Sequence, residues 1–127
     1  MESIYLDTHV VVWLFSGEIE KLSDKAIKII EESELLISPM VTLELEFLYE
    51  IGRLNYKSKD ILSSLSQSID LKVCNLPFAN IALEATKNNW TRDPFDRLIV
   101  ANAICNNSIL LSLDRKILDN YSMAIWY

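Results

Sequence analysis

The 127 residues are 50% hydrophobic and 24% charged, ample for the core of one compact domain spanning residues 1–127. Twelve Lys and Arg against 18 Asp and Glu leave a net charge of −6, which repels nucleic acid at long range, so any nucleic-acid binding must be local. The opening MESIYLDTHVVVWLF is broken by Asp7 and His9 and lacks a small-residue cleavage site, and no uninterrupted apolar run approaches the roughly 20 residues of a membrane helix. The expectation is a soluble, cytoplasmic chain with no membrane association.

In chain order, Ser3 to Leu6 reads as a buried strand, followed by a helix from about Thr8 to Phe15 and a turn at Gly17. Ser23 caps a helix reaching about Glu32. Leu35 to Ile37 is a short strand, and Ser38-Pro39 supplies a cap and a first-turn proline for a helix that stops near Gly52. Ser58 opens a helix to about Ser68, Leu71 to Cys74 is a third strand, and Pro77 begins a helix to about Asn88. Asp93-Pro94 repeats the cap-plus-proline signal for a helix through Ala103. Ile109 to Ser112 is a fourth strand, Asp114 starts a short helical turn, and Ala124 to Trp126 is a candidate fifth strand. Short apolar strands alternating with amphipathic helices predict an α/β fold whose parallel sheet is covered on both faces. Cys74 and Cys105 stand far apart, with no CxxC and no nearby histidine, and read as buried thiols without function.

In an open parallel sheet, the loops at the carboxyl ends of the strands converge on one crevice. Asp7 ends the first strand, Asp114 closely follows the fourth, Asp96 lies in the first turn of the helix entering it, and Glu44 lies early in the helix after the second. Four acids far apart in sequence can thus meet. Two like charges about 4 Å apart repel by roughly 4 kcal/mol at an effective dielectric near 20, so such a cluster calls for cations. An all-oxygen donor set selects Mg²⁺ or Mn²⁺ over zinc, and the lone His9 cannot build a zinc site. A hard divalent ion there suits hydrolysis of a phosphodiester. Arg92, Arg97, Arg115 and Lys116 sit within a few positions of Asp93, Asp96 and Asp114, as phosphate-binding bases or as ordinary surface charge pairs.

Each acid also has a structural reading. Asp93 before Pro94 is an N-cap, Asp96 three residues on completes something like a capping box, and Asp114 can cap its own short helix. Glu44 shares its helix with Glu46 and Glu50, as a solvated face would. Asp7, between Leu6 and the apolar run Val10 to Phe15, is bound for a half-buried position that is costly without a partner.

Four stretches together resemble a known family: Leu6-Asp7-Thr8-His9-Val10-Val11-Val12-Trp13-Leu14; Ser38-Pro39 to Glu44 and on to Gly52-Arg53-Leu54; Asp93-Pro94-Phe95-Asp96-Arg97 and on to Ala103; and Leu111-Ser112-Leu113-Asp114. They resemble the PIN-domain family, in particular the VapC-like toxins that carry a DPFDR motif, and the similarity is collinear over essentially the whole chain. The resemblance implies a three-layer α/β/α domain with a mostly parallel sheet of four to five strands. It also implies a metal-dependent endoribonuclease acting on RNA as the toxin of a type II toxin-antitoxin pair. By motif, Asp7, Glu44, Asp96 and Asp114 match the family's catalytic acidic quartet and its Mg²⁺ or Mn²⁺ ligands. Thr8 matches a hydroxyl position that orients Asp7 or a bound water, Asp93 stands behind the ligands, and Arg97 neutralises phosphate or pairs with a carboxylate. Relatives in this branch often carry Trp before the helix glutamate, where this chain has Leu43, and a second acid, Glu46, follows two residues later. Glu46 points about 200° away on the same helix, so Glu44 is kept.

The resemblance further implies a cognate antitoxin and a homodimer. The helix bearing Leu43, Leu45, Phe47, Leu48, Tyr49 and Ile51 has more apolar residues than one buried face requires. That surplus fits a groove for an apolar peptide, a dimer contact, or a helix buried on two sides. Two other magnesium-binding α/β classes fit poorly. A phospho-receiver needs an acid adjacent to the first and a late lysine, and a haloacid-dehalogenase-type phosphatase needs a second Asp where His9 stands. A PIN-like module that binds RNA or protein without catalysis is the remaining alternative.

Overall fold

The computed structural model describes residues 2–127. Its elements are β1 (Ser3–Leu6), α1 (Thr8–Ser16), a 3-10 turn (Ile19–Lys21), α2 (Asp24–Glu32), β2 (Glu34–Ile37), α3 (Pro39–Glu50) and α4 (Ser58–Ile69). Then follow β3 (Lys72–Val73), α5 (Phe78–Ala85), α6 (Pro94–Cys105), β4 (Leu110–Leu111), α7 (Arg115–Asn120) and β5 (Ala124–Ile125).

The helix starts follow the side-chain chemistry predicted for them. Ser23, Ser38, Asp93 and Asp114 each accept a backbone N–H from the first turn of their helix, and Pro39 and Pro94 occupy first-turn positions where no N–H is needed. Helix α1 ends at Gly17 with φ of 74°, and the chain leaving α3 turns at Gly52 with φ of 81°, a left-handed conformation that side chains disfavour. Two boundaries depart from expectation. Helix α5 stops at Ala85 rather than near Asn88, because Asn88 is buried and its amide Nδ2 donates to the Arg97 carbonyl. Helix α6 runs to Cys105, past Ala103.

All five strands are parallel, in the order β3-β2-β1-β4-β5. The sheet grows in one direction from β1 through β3, then returns to add β4 and β5 on the other side of β1. Right-handed crossovers put the helices of the two halves on opposite faces. In keeping with this, α1 packs on α3 and α4, and α5 packs on α6. Helices α3 and α6 also meet. The core joins the β1 residues Ile4, Tyr5 and Leu6 to Ile37, Val41, Leu45, Ile99, Leu110, Leu111 and Ile117, all essentially inaccessible. Among the described residues no helix is long and apolar enough to cross a membrane.

The cysteines part company. Cys74 is buried, where its Sγ accepts from the Tyr5 hydroxyl at 3.0 Å and the Asn102 amide at 3.1 Å, whereas Cys105 is exposed. Cys105 closes α6, beyond the helix face that packs on the sheet, so the expectation of two buried thiols holds for one.

Candidate metal centre

The order of strands reverses between β1 and β4, and their carboxyl ends frame the crevice where open parallel sheets bind ligands. Asp7 stands there, directly after β1, with 7% of its surface exposed. Its backbone N–H bonds the Leu111 carbonyl of β4 at 3.0 Å. Its carboxylate is held from both sides: Oδ1 accepts the Thr8 N–H at 2.8 Å, and Oδ2 accepts the Ser112 hydroxyl at 2.7 Å. Burial pushes the Asp7 carboxyl above its ordinary range, and these two hydrogen bonds offset part of that rise.

Glu44 reaches the same place from α3. Its Oε1 accepts the Thr8 hydroxyl at 2.5 Å. Burial raises its pKa, the Thr8 bond lowers it, and the charges of Asp7 and Asp93 raise it further. The Thr8 hydroxyl therefore orients Glu44, while only the Thr8 backbone serves Asp7. Which acid the hydroxyl would meet depends on how closely α3 approaches α1, a tertiary fact no local pattern carries. Glu46 lies on the far side of α3, as the helix period requires, where Oε1 accepts the Ser58 N–H at 3.1 Å and its hydroxyl at 3.2 Å at the start of α4.

Asp96, in the first turn of α6, is half-buried, and its pKa is pushed up to about 7. Burial is the largest cause, followed by the charges of Asp93, Asp7, Asp114 and Glu44. Asp114 is exposed and uses Oδ1 to cap α7, accepting from Lys116 N at 2.8 Å and Ile117 N at 3.2 Å. Its own N–H donates to the Ser112 hydroxyl at 3.1 Å. Asp93 caps α6 through the Phe95 N–H at 2.9 Å. The cap readings of Asp93 and Asp114 are thus realised, and both acids still bear electrostatically on Asp96.

The four quartet acids are near enough to repel one another. Even so, among the described residues no three His, Cys, Asp or Glu side chains converge into a ready-made ion cage. The donors nevertheless suit a hard cation. They are carboxylate oxygens with lone pairs to spare, and Asp96 accepts no hydrogen bond among the described residues.

Arg97 does not pair with a carboxylate. Its Nε donates to the Thr91 carbonyl at 2.8 Å, because adjacent residues on a helix lie about 100° apart and Arg97 faces α5 instead of the acids. Among the described residues, neither Arg92, Arg115 nor Lys116 forms an ion pair, so the surface-pairing reading of these bases is not what the fold makes. Ser112 was not singled out in the sequence. It is wholly buried at the end of β4 and links Asp7 to Asp114, and the available signal was a hydroxyl two positions before the last acid.

Comparison with known proteins agrees with this architecture. The family model described as PIN domain matches residues 4–122. Ribonuclease VapC22 of Mycobacterium tuberculosis (strain ATCC 25618 / H37Rv) is 32% identical over 120 residues, covering 92% of this chain and 91% of that protein. Among solved structures, VapBC2 from Rickettsia felis bound to a DNA fragment from their promoter has a TM-score of 0.68 at 16% identity, covering 98% of this chain and 99% of that one. A toxin-antitoxin complex from Klebsiella pneumoniae has a TM-score of 0.66 at 17% identity, covering 98% of each chain. These two structures share the fold. With the family model spanning nearly the whole chain and the ribonuclease relative aligned along it, the chain belongs to the PIN-domain family, on its VapC-like branch.

Proposed function

We propose that this PIN domain is a divalent-metal-dependent endoribonuclease, the toxin of a VapBC-like pair, with Asp7, Glu44, Asp96 and Asp114 as its catalytic and metal-holding acids. The observation that carries the reading is the gathering of these carboxylates at the β1–β4 reversal, with Asp96 raised to about 7 by burial and by the other acids. A cluster of this kind, costly for the fold in isolation, marks a functional site. The 32% identity to a protein named as a ribonuclease supports the same chemistry.

Mg²⁺ or Mn²⁺ bound by these oxygens supplies neutralising charge for a phosphodiester and acidity for a water. The chain's own groups do the positioning. Ser112 and the Thr8 N–H hold Asp7 in one rotamer, and the Thr8 hydroxyl does the same for Glu44. Asp96, free of hydrogen bonds among the described residues, keeps its carboxylate oxygens open for the ion. Asp93 stands behind Asp96 as cap and as charge, and Arg97 steadies the Thr91–Asp93 turn through the Thr91 carbonyl. Arg115 and Lys116, exposed beside Asp114, are placed to meet the phosphates of the RNA.

For a partner, we assign the row formed by Leu43 and Phe47 on α3 and Ile51 at its C-cap. These residues are 55%, 44% and 49% exposed at successive turns of one helix face. Phe47 adds Phe95 to the row, with ring centroids 6.0 Å apart. Only Val41 and Leu45 of this helix are buried, so burial on two sides is not its explanation. An apolar antitoxin segment laid along this row passes beside Glu44 and covers the acids. Homodimerisation stands as part of the same proposal.

The test is total RNA incubated with the protein in Mg²⁺, Mn²⁺ or EDTA, beside Asp7→Asn prepared identically. Discrete fragments that need metal and vanish in the variant are the expected result. Fragments that persist in Asp7→Asn, or none at high protein concentration, would remove the catalytic reading and leave a non-catalytic binding module.

A further inference from the structure

A cavity of about 300 Å³ opens beside the acids on the α1 and α7 side, lined by Asp7, His9, Val10, Trp13, Leu113 and Asp114. Two of its walls, Asp7 and Asp114, belong to the quartet, but a carboxylate site has no need of the others. His9 and Trp13 lie one turn apart on α1, their ring centroids 6.1 Å apart and tilted by 43°. Trp13 is half-buried and packs against the buried Trp126, at 5.7 Å between centroids and tilted by 60°. Trp126 is tied down in turn by its carbonyl, which accepts the Ser23 hydroxyl. The indole is thus a fixed surface. Across from it stands Leu113, 43% exposed although it lies only two residues from the end of β4. His9 is exposed at the rim, while Lys21 Nζ lies over the Trp13 ring, 5.9 Å from its centroid, and is ion-paired with Glu18 at 2.8 Å, so one indole face is taken and the base uses the other.

We infer that this cavity is a nucleobase subsite. It takes one unpaired base of the RNA strand next to the phosphodiester held at the acids, stacked on Trp13 and flanked by Leu113. A braced aromatic face accepts any base by its π-surface, and such stacking requires a base released from a duplex. Continuity with Asp7 and Asp114 makes the occupant part of the same strand as the phosphate. His9 at the rim supplies a donor for the sugar and phosphate that lead away. The inference rests on the ribonuclease reading and adds to it a base-holding position at Trp13 beside the acids.

The experiment uses the full chain carrying Asp96→Asn, which does not line the cavity and leaves RNA uncut, in Mg²⁺. Fluorescence anisotropy reports its binding to labelled single-stranded RNA oligomers, either complete or with one abasic position stepped along the strand. One abasic position should weaken binding by roughly tenfold to a hundredfold. Adding Trp13→Leu should cost a similar factor with the complete oligomer and almost nothing more with the abasic one, while Trp13→Phe should retain most of the affinity. Equal binding of complete and abasic oligomers overturns the subsite even if Trp13→Leu proves too unstable to use, and so does absence of RNA binding. Base-independent RNA binding, with an arginine-containing peptide captured in a Trp13-dependent way, also overturns it and gives the cavity to a protein. If wild type cuts no RNA yet base-dependent binding persists, only the nuclease reading fails. Cleavage indifferent to Trp13 and to the abasic position removes only the subsite.

Discussion

Asp96 concentrates the electrostatic tension of the site in one side chain. Its pKa in the folded chain is about 7, against an ordinary 3.8. Between those values the folded chain keeps a proton that the unfolded chain has released. The metal-free protein should therefore lose stability as pH rises through that window, and the loss should be complete above it. Asp96→Asn removes the charge. In urea unfolding with EDTA, it should add roughly 1–3 kcal/mol at about pH 8 and little at about pH 4. No gain at the higher pH would mean that the other acids do not repel Asp96 as described, and the quartet would lose its physical basis. Saturating Mg²⁺ should reverse the order of the two proteins, because a ligand that binds only the folded state stabilises it.

At the scale of elements, α3 serves two masters. One side carries Glu44 to the acids, and the other uses Glu46 to cap the start of α4. Glu46→Ala leaves the Ser58 N–H without this acceptor and should cost about 1 kcal/mol in thermal or urea unfolding. RNA cleavage should be unchanged, whereas Glu44→Ala should abolish it. An inactive Glu46→Ala with an intact fold would exchange the roles of the two acids. The same helix shows what a sequence can and cannot convey. Ser38-Pro39 and Asp93-Pro94 announce two helix starts because capping is chemistry within a few residues, and Asp7, Asp96 and Asp114 lie at such starts, whereas Glu44 lies further into α3. The 3-10 turn at Ile19–Lys21 and the early stop of α5 carry no local signal. Nor do the Thr8–Glu44 and Ser112–Asp7 bonds, which join residues brought together only by the folded sheet.

Across the whole molecule, a chain of net charge −6 leaves an apolar row on α3 uncovered. Phe47→Asp should cost the isolated chain about 1 kcal/mol, since the partly exposed ring still packs on Phe95. It should weaken capture of the antitoxin, while leaving RNA cleavage in place. Unaltered capture would move the contact elsewhere. The reversal of strand order has a consequence in time as well as in space. Asp7 is made well before its partner, for the hydroxyl that holds it belongs to Ser112, 105 positions later. At about 5–20 residues per second, synthesis leaves the first acid waiting about 5 to 20 seconds for its partner. A growing chain cannot assemble the quartet until residue 114 has left the ribosome. For a proposed ribonuclease made on a machine built of RNA, the order of translation itself delays the onset of cutting.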